Sequence, residues 1–105
     1  MGGRGSGGTT GTNQADRQVE RGILAAYKDV LGTMPESAQG RGWVALADLR
    51  ERLGGDREKV DAALRRLAGQ RQIQLEPESN QAALTPRDRA AAIRYAGENN
   101  QYINL

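Results

Sequence analysis

The chain has 105 residues, of which 37% are hydrophobic and 27% are charged, and its formal net charge is +2. This length supports one domain. The chain contains no cysteine and no histidine, which excludes disulfides, thiolate metal sites and every His-dependent catalytic triad. No apolar run approaches the roughly 20 residues that a membrane-spanning helix needs. These features predict a soluble cytoplasmic protein that has no metal or other cofactor and no membrane contact.

The first 14 residues are mostly Gly, Ser, Thr and Asn. Such a segment buries too little apolar surface to offset the entropy lost when it becomes ordered. The sequence therefore predicts a disordered Gly-rich tail over 1–14 and a single domain over 15–105. The only charged residue in this tail is Arg4, which favours an inert linker over a nucleic-acid-binding arm.

The first predicted element is a helix over 17–31. Its apolar residues recur at spacings of three and four, which places them on one side of a helix that covers the core. They are Val19, Ile23, Tyr27, Val30 and Leu31. Pro35, Gly40 and Gly42 then predict a loop over 33–42.

A short strand, two helices and a tight turn are predicted next. Trp43 and Val44 form the strand, where Trp43 is expected to anchor the edge of the core rather than to stack on a nucleotide base. Helices over 46–53 and 57–68 follow, joined by Gly54 and Gly55, with Asp56 as the N-cap of the second helix. Their inward residues are Leu46, Leu49 and Leu53 in the first helix, and Val60, Ala63, Leu64 and Leu67 in the second.

A β-hairpin is predicted after the second of these helices. Residues 72–76 alternate polar and apolar side chains, which is typical of a half-buried strand. Residues 77–80 contain Pro77 and Asn80 and predict a turn. Residues 81–84 are expected to return as the partner strand.

The end of the chain predicts another helix and a strand. Thr85, Pro86 and Asp88 resemble a capping box, in which Asp88 replaces the usual Glu or Gln. The helix is expected to continue to Tyr95 or Ala96, to end at Gly97 and to be followed by a polar loop. Residues 101–105 alternate again and predict a short strand.

The run from 42 to 85 resembles the winged helix-turn-helix superfamily. The resemblance implies a mainly α fold with a small antiparallel sheet (α+β), namely a three-helix core, a β-hairpin wing and a C-terminal helix. Ala45 departs from the pattern, because a capping Ser or Thr would help there. The residues that carry the resemblance are Trp43-Val44, Leu46-Ala47-Asp48-Leu49, Leu53, Gly54-Gly55-Asp56, Val60, Leu64, Leu67 and Ile73-Gln74-Leu75.

In the DNA-binding members of this superfamily the third helix enters the major groove. Here residues 57–71 carry a net charge of +3, whereas the rest of the 41–85 unit carries −2. We therefore expect a non-enzymatic domain that binds double-stranded DNA in transcription regulation. The expected DNA-binding residues are Arg57, Lys59, Arg65, Arg66, Arg71 and Gln74.

Two features count against DNA binding, and the second of them, together with the near-neutral total charge, favours an alternative function. Glu58 and Asp61 lie on the half of the third helix that would approach the bases, and Glu76 and Glu78 make the expected wing acidic. Carboxylates at these positions repel phosphate groups. The alternative is a protein–protein interaction module within a larger assembly, whose partner contacts the wing or pairs with the C-terminal strand. A separate, purely structural interpretation is that Arg65 and Arg66 form a solvated helix face with local salt bridges.

Overall fold

A computed structural model describes residues 14–105, which form a mixed α/β domain with a small antiparallel sheet. Its helices are α1 (Gln14–Gly32), α2 (Glu36–Gln39), α3 (Leu46–Leu53), α4 (Arg57–Gly69) and α5 (Pro86–Ala91). Its strands are β1 (Val44–Ala45), β2 (Gln74–Glu76), β3 (Ile93–Tyr95), β4 (Glu98–Asn100) and β5 (Tyr102–Asn104). Gln14 already belongs to α1, and the remainder of the predicted tail, 1–13, lies outside the described residues. No helix in 14–105 is long and apolar enough to span a bilayer.

Helix α1 packs against α3 and α4 along its predicted apolar stripe. Ile23, Tyr27 and Val30 are buried, which confirms the helical spacing read from the sequence. A Cβ atom at Gly22 would lie 3.0 Å from the Cδ1 atom of Leu53 on α3. A glycine at this point therefore lets the two helices approach closely. The loop predicted over 33–42 contains one turn of helix, α2.

The α3–turn–α4 unit also agrees with its prediction. Gly54 and Gly55 have φ values of 66° and 85°, in the left-handed region that glycine adopts most easily. The side chain of Asp56 accepts a hydrogen bond from the backbone N–H of Glu58 at 2.9 Å, as expected of an N-cap. The buried residues of the two helices are Leu46, Ala47, Leu49, Val60, Ala63, Leu64 and Leu67.

Helix α3 begins without a side-chain cap, because the methyl side chain of Ala45 has no oxygen that could accept a hydrogen bond. The N–H of Leu46 instead donates to the backbone carbonyl of Gln101 at 2.8 Å. One of the N–H groups that a helix start leaves without an internal partner is thus satisfied by a distant segment of the chain.

The three-stranded sheet has the order β1-β5-β2 and is antiparallel throughout. Ile103, which is fully buried, pairs with both Val44 and Leu75. The predicted terminal strand is therefore confirmed. Both hydrogen-bonding edges of β5 pair with strands of the same chain, which leaves this strand no free edge for the strand of another chain.

The predicted hairpin between residues 72–76 and 81–84 is wrong. The strand before the turn exists as β2, but its partner is β5, and Gln81–Ala83 forms a 3₁₀ turn. The alanines of that turn are exposed and offer little apolar surface, whereas Ile103 buries its whole side chain beside Leu75. Burial therefore favours the distant partner over the local one.

Residues 77–101 form an insert between β2 and β5, and the helix within it, α5, starts with the predicted capping box. The hydroxyl of Thr85 accepts from the N–H of Asp88 at 3.1 Å, and a carboxylate oxygen of Asp88 accepts from the N–H of Thr85 at 3.3 Å. The helix ends at Ala91, however, and not at Tyr95 or Ala96 as expected. Residues 93–100 instead form the β3–β4 hairpin.

The hairpin replaces the predicted end of the helix because its residues suit a strand. Ile93 is buried in the core, Arg94 is exposed and Tyr95 is half-buried, which matches the two-residue period of a strand. Ala96 and Gly97 have φ values of 54° and 82°, as in the two-residue turns that join twisted antiparallel strands. Gly97 is thus a turn residue and not the end of a helix.

Two buried polar side chains hold the insert in shape. The amide nitrogen of Asn100 lies within 3.3 Å of the carbonyl oxygens of Ile93, Tyr95 and Glu98. The side-chain oxygen of Gln101 accepts from the backbone N–H of Glu78 at 2.7 Å. Because buried polar groups must be hydrogen-bonded, these contacts fix one path for the insert.

Candidate nucleic-acid interface

The buried stripe of α4 determines which side of this helix faces solvent. At 3.6 residues per turn, Glu58, Ala62, Arg65 and Gly69 lie opposite the stripe that contains Val60. All four are exposed. A residue of α4 that contacts DNA has to be exposed on or near this outer side and has to keep its donors available.

Arg57, the first predicted contact, binds the insert. Its guanidinium donates to the carbonyl oxygen of Ala90, and also to that of Ala92 at 3.0 Å. Its Nε atom lies 3.6 Å from a carboxylate oxygen of Asp61, one turn further along α4. Its side chain is 51% exposed, but both of its side-chain hydrogen bonds within 14–105 go to the insert.

Arg50, on α3, also donates to a backbone carbonyl at the end of α5 and also pairs with Asp61. Its Nε donates to the carbonyl oxygen of Ala91 at 2.7 Å, and its Nη2 lies 2.7 Å from Oδ1 of Asp61. The carbonyl groups at the end of a helix have no partners within the helix, so they readily accept from cations. We call Arg50 and Arg57 the arginine clamp, because together they hold the end of α5 against α3 and α4.

Arg66 is neutralised, whereas Arg65 keeps part of its guanidinium free. The Nε of Arg66 donates to a carboxylate oxygen of Glu20 at 2.8 Å and so ties α4 to α1. The Nε of Arg65 donates to the backbone carbonyl of Arg94 at 3.2 Å. Within residues 14–105, the two Nη groups of Arg65 have no hydrogen-bond acceptor.

The other three predicted residues are exposed and make no side-chain hydrogen bond or ion pair within the described part of the chain. Lys59 lies on α4 on the flank that faces away from the insert. Arg71 follows the helix with a φ of 62°. Gln74 lies on β2, a strand at the edge of the sheet.

Arg94 was missed by the sequence interpretation. It is exposed on β3, and its carbonyl oxygen accepts from Arg65, so the two arginines are immediate neighbours across α4 and the hairpin. The available signal was the alternation of Ile93, Arg94 and Tyr95, which indicates a strand with Arg94 outward. The structure therefore brings Arg65 and Arg94 together and assigns Arg57 and Arg66 to internal contacts.

The acidic groups of the expected wing differ in their environments. The carboxylate of Glu78 accepts from the hydroxyl of Tyr102 at 2.6 Å and from the N–H of Asn80 at 3.1 Å. These hydrogen bonds, that of Tyr102 above all, lower the pKa of Glu78. Glu76 and Glu58 are exposed. Within residues 14–105, no group of three or more acidic side chains is placed to hold a metal ion.

No protein-family model, no curated protein and no solved structure matches this chain.

Proposed function

We propose that this chain is a winged helix-turn-helix domain in which the insert takes the place of a simple wing. The order of its elements supports the proposal. Helix α1, strand β1, helices α3 and α4 and strands β2 and β5 follow one another, and β5 lies between β1 and β2. In this arrangement α4 corresponds to the helix that DNA-binding members place in the major groove.

We further propose that the domain binds double-stranded DNA as a non-enzymatic regulatory module. The observation that carries this proposal is the hydrogen bond from Arg65 on the outer side of α4 to the backbone carbonyl of Arg94, which brings an exposed arginine of β3 next to the exposed arginine of α4. Lys59 and Arg71 add charge that no carboxylate within 14–105 neutralises. The proposed cationic contacts are therefore Lys59, Arg65, Arg71 and Arg94, and Gln74, which is exposed on β2, stays in the set as a neutral contact.

These contacts suit phosphate groups better than base edges. Glu58 is exposed near the start of α4, where it would repel the backbone of an approaching duplex. Cations further along the helix and on the hairpin can still neutralise phosphates and release counterions. We therefore expect binding that depends strongly on salt and weakly on sequence.

The test is fluorescence anisotropy of the full chain with a labelled duplex at several salt concentrations. Four phosphate contacts predict that log K falls with log [salt] with a slope of about −3 to −4. Arg94→Ala and Lys59→Ala should each reduce the magnitude of that slope by about 1. Lys28→Ala is the matched control, because Lys28 is an exposed cation on α1.

Two results would contradict the proposal. One is a labelled duplex that does not bind at low salt. The other is an equal loss of affinity in Lys28→Ala and Arg94→Ala, which would show that net charge alone accounts for the binding and that α4 and the hairpin form no specific surface.

A further inference from the structure

An open groove of about 490 Å³ lies between α2 and the ends of β2 and β5. Its apolar lining comes from Met34, Trp43, Pro77 and Tyr102, and Glu76 lies at its wall. None of the residues that line it belongs to α4 or to the β3–β4 hairpin. The groove is therefore a separate surface from the proposed nucleic-acid contacts on α4 and the hairpin.

The sheet places the two aromatic rings in this groove. Val44 and Ile103 pair with each other and face the core, and side chains alternate along a strand. Tyr102, next to Ile103 on β5, is therefore directed to the opposite face of the sheet, and Trp43, which directly precedes β1, lines the same groove. Both are half-buried, so part of each ring is open to a ligand.

One of the aromatic polar groups is fixed and the other is free. The hydroxyl of Tyr102 donates to Glu78 at 2.6 Å, which holds its ring in place. The indole N–H of Trp43 donates to no group among residues 14–105. A ligand with an exposed carbonyl oxygen could accept this hydrogen bond.

The charges on the groove define its polarity. Glu76 is exposed and has no side-chain partner in the described part of the chain. The carboxylate of Glu78, in contrast, already accepts from Tyr102, Ser79 and Asn80. Arg41 also lines the groove and offers donors to carbonyl oxygens.

We propose that this groove binds an extended, proline-containing segment of a protein partner that carries Lys or Arg beside the prolines. A polyproline II segment presents flat apolar rings and unpaired carbonyl groups, and it docks in grooves lined by aromatic residues. Its prolines would lie on Trp43 and Tyr102, the indole N–H would donate to a peptide carbonyl, and the cation would pair with Glu76. An anionic ligand is disfavoured, because the two carboxylates outnumber the single guanidinium of Arg41.

The test uses the full chain and the fluorescence of Trp43, its only tryptophan. Three synthetic peptides of equal length are compared: one with two prolines two residues apart and a neighbouring Arg, one with Glu in place of that Arg, and one with Gly in place of the prolines. We expect the Pro-Arg peptide to bind about tenfold more tightly than the Gly peptide, because its backbone is already extended. It should bind about two- to fivefold more tightly than the Glu peptide.

Glu76→Gln should weaken binding of the Pro-Arg peptide by about two- to fivefold and should leave binding of the Glu peptide no weaker. Glu98→Gln is the matched control, because Glu98 is an exposed carboxylate on β4 outside the groove. It should change the affinity for neither the Pro-Arg peptide nor the Glu peptide. Equal affinity for all three peptides would overturn the proposal. So would a fluorescence change that depends only on protein concentration, since it would indicate that a second copy of the chain fills the groove.

Discussion

The hydroxyl of Tyr102 donates to a carboxylate oxygen of Glu78 over 2.6 Å, which joins the central strand β5 to the turn that follows β2. This hydrogen bond favours the neutral phenol and the ionised carboxylate together. It raises the pKa of Tyr102 to about 12 and lowers that of Glu78. The contact therefore persists across the neutral pH range and weakens at both extremes.

The pH dependence of this contact is the first prediction. Because the pKa of Tyr102 rises from 10.0 in the unfolded chain to about 12 in the fold, its contribution to stability is complete below pH 10 and is lost as the pH rises towards about 12. The contribution of Glu78 is present above its ordinary pKa of 4.5 and is lost as the pH falls through its lowered value.

An NMR titration of the Tyr102 ring carbons measures this effect directly. Glu78→Gln should bring the pKa of Tyr102 back towards 10.0, because the main cause of its rise is removed. Glu98→Gln should leave it unchanged. A pKa of Tyr102 near 10.0 in the unmodified chain would show that the hydrogen bond to Glu78 does not form in solution.

The second prediction concerns the arginine clamp. Arg57→Lys replaces a planar fork by a single ammonium, which cannot donate to Ala90 and Ala92 in the same way. We expect a loss of about 0.5–1.5 kcal/mol in the local stability of the insert. Amide hydrogen exchange should show it as faster exchange of the β3–β4 amides, while the amides of α1 stay protected.

Arg89→Lys is the control for this experiment, because Arg89 lies on α5, is exposed and has no side-chain partner within 14–105. It should leave the exchange of the hairpin unchanged. If the two variants behaved alike, the clamp would not be what holds the insert against α3 and α4.

The third prediction concerns Gly42. Its φ is +76°, and a Cβ atom there would lie 2.6 Å from Oδ1 of Asn104, so any larger residue both strains the backbone and displaces a side chain of β5. Gly42→Ala should lower the free energy of unfolding by about 1–3 kcal/mol, measured by urea denaturation. The carbonyl of Gly42 also accepts from the hydroxyl of Tyr27, so α1 would be affected as well.

Gly40 provides the comparison, because it lies two residues away with a φ of −63° and has no atom within 4 Å of an added Cβ. Gly40→Ala should be neutral, or stabilising by up to about 1 kcal/mol. Equal effects of the two substitutions would mean that the approach of Asn104 to Gly42 relaxes without cost.

The parts of the fold that the sequence predicted well depend on local signals. Helices α3 and α4 were read from apolar stripes, from the N-cap Asp56 and from the turn at Gly54, all of which act within one or two turns of helix. The start of α5 at Pro86 was likewise predicted from a local signal, the capping box of Thr85 and Asp88. Each of these signals has its physical partner a few residues away, so no knowledge of the rest of the chain was needed.

The errors arose where the partner is distant. Leu75 pairs with Ile103, which lies beyond the whole insert, and a strand's own alternation does not say which other strand it will join. Because the hairpin was predicted over 72–84 and a helix up to Tyr95, Arg94 was not expected on an exposed strand. For the same reason Arg57 was not expected to donate to carbonyl groups of the insert. The sequence therefore predicts which charged residues α4 carries. It does not predict which of them are engaged in internal contacts and which stay available to a ligand.

The position of β5 between β1 and β2 has a consequence for biosynthesis. Strands β1 and β2 have no pairing partner in the sheet until residues 102–104 have been synthesised, because Val44 and Leu75 both pair with Ile103. A nascent chain can assemble α1, α3 and α4 early, but it carries two unpaired strands through the remainder of translation. Because these strand pairs join segments that are far apart in the sequence, we expect the sheet to form later than the helices.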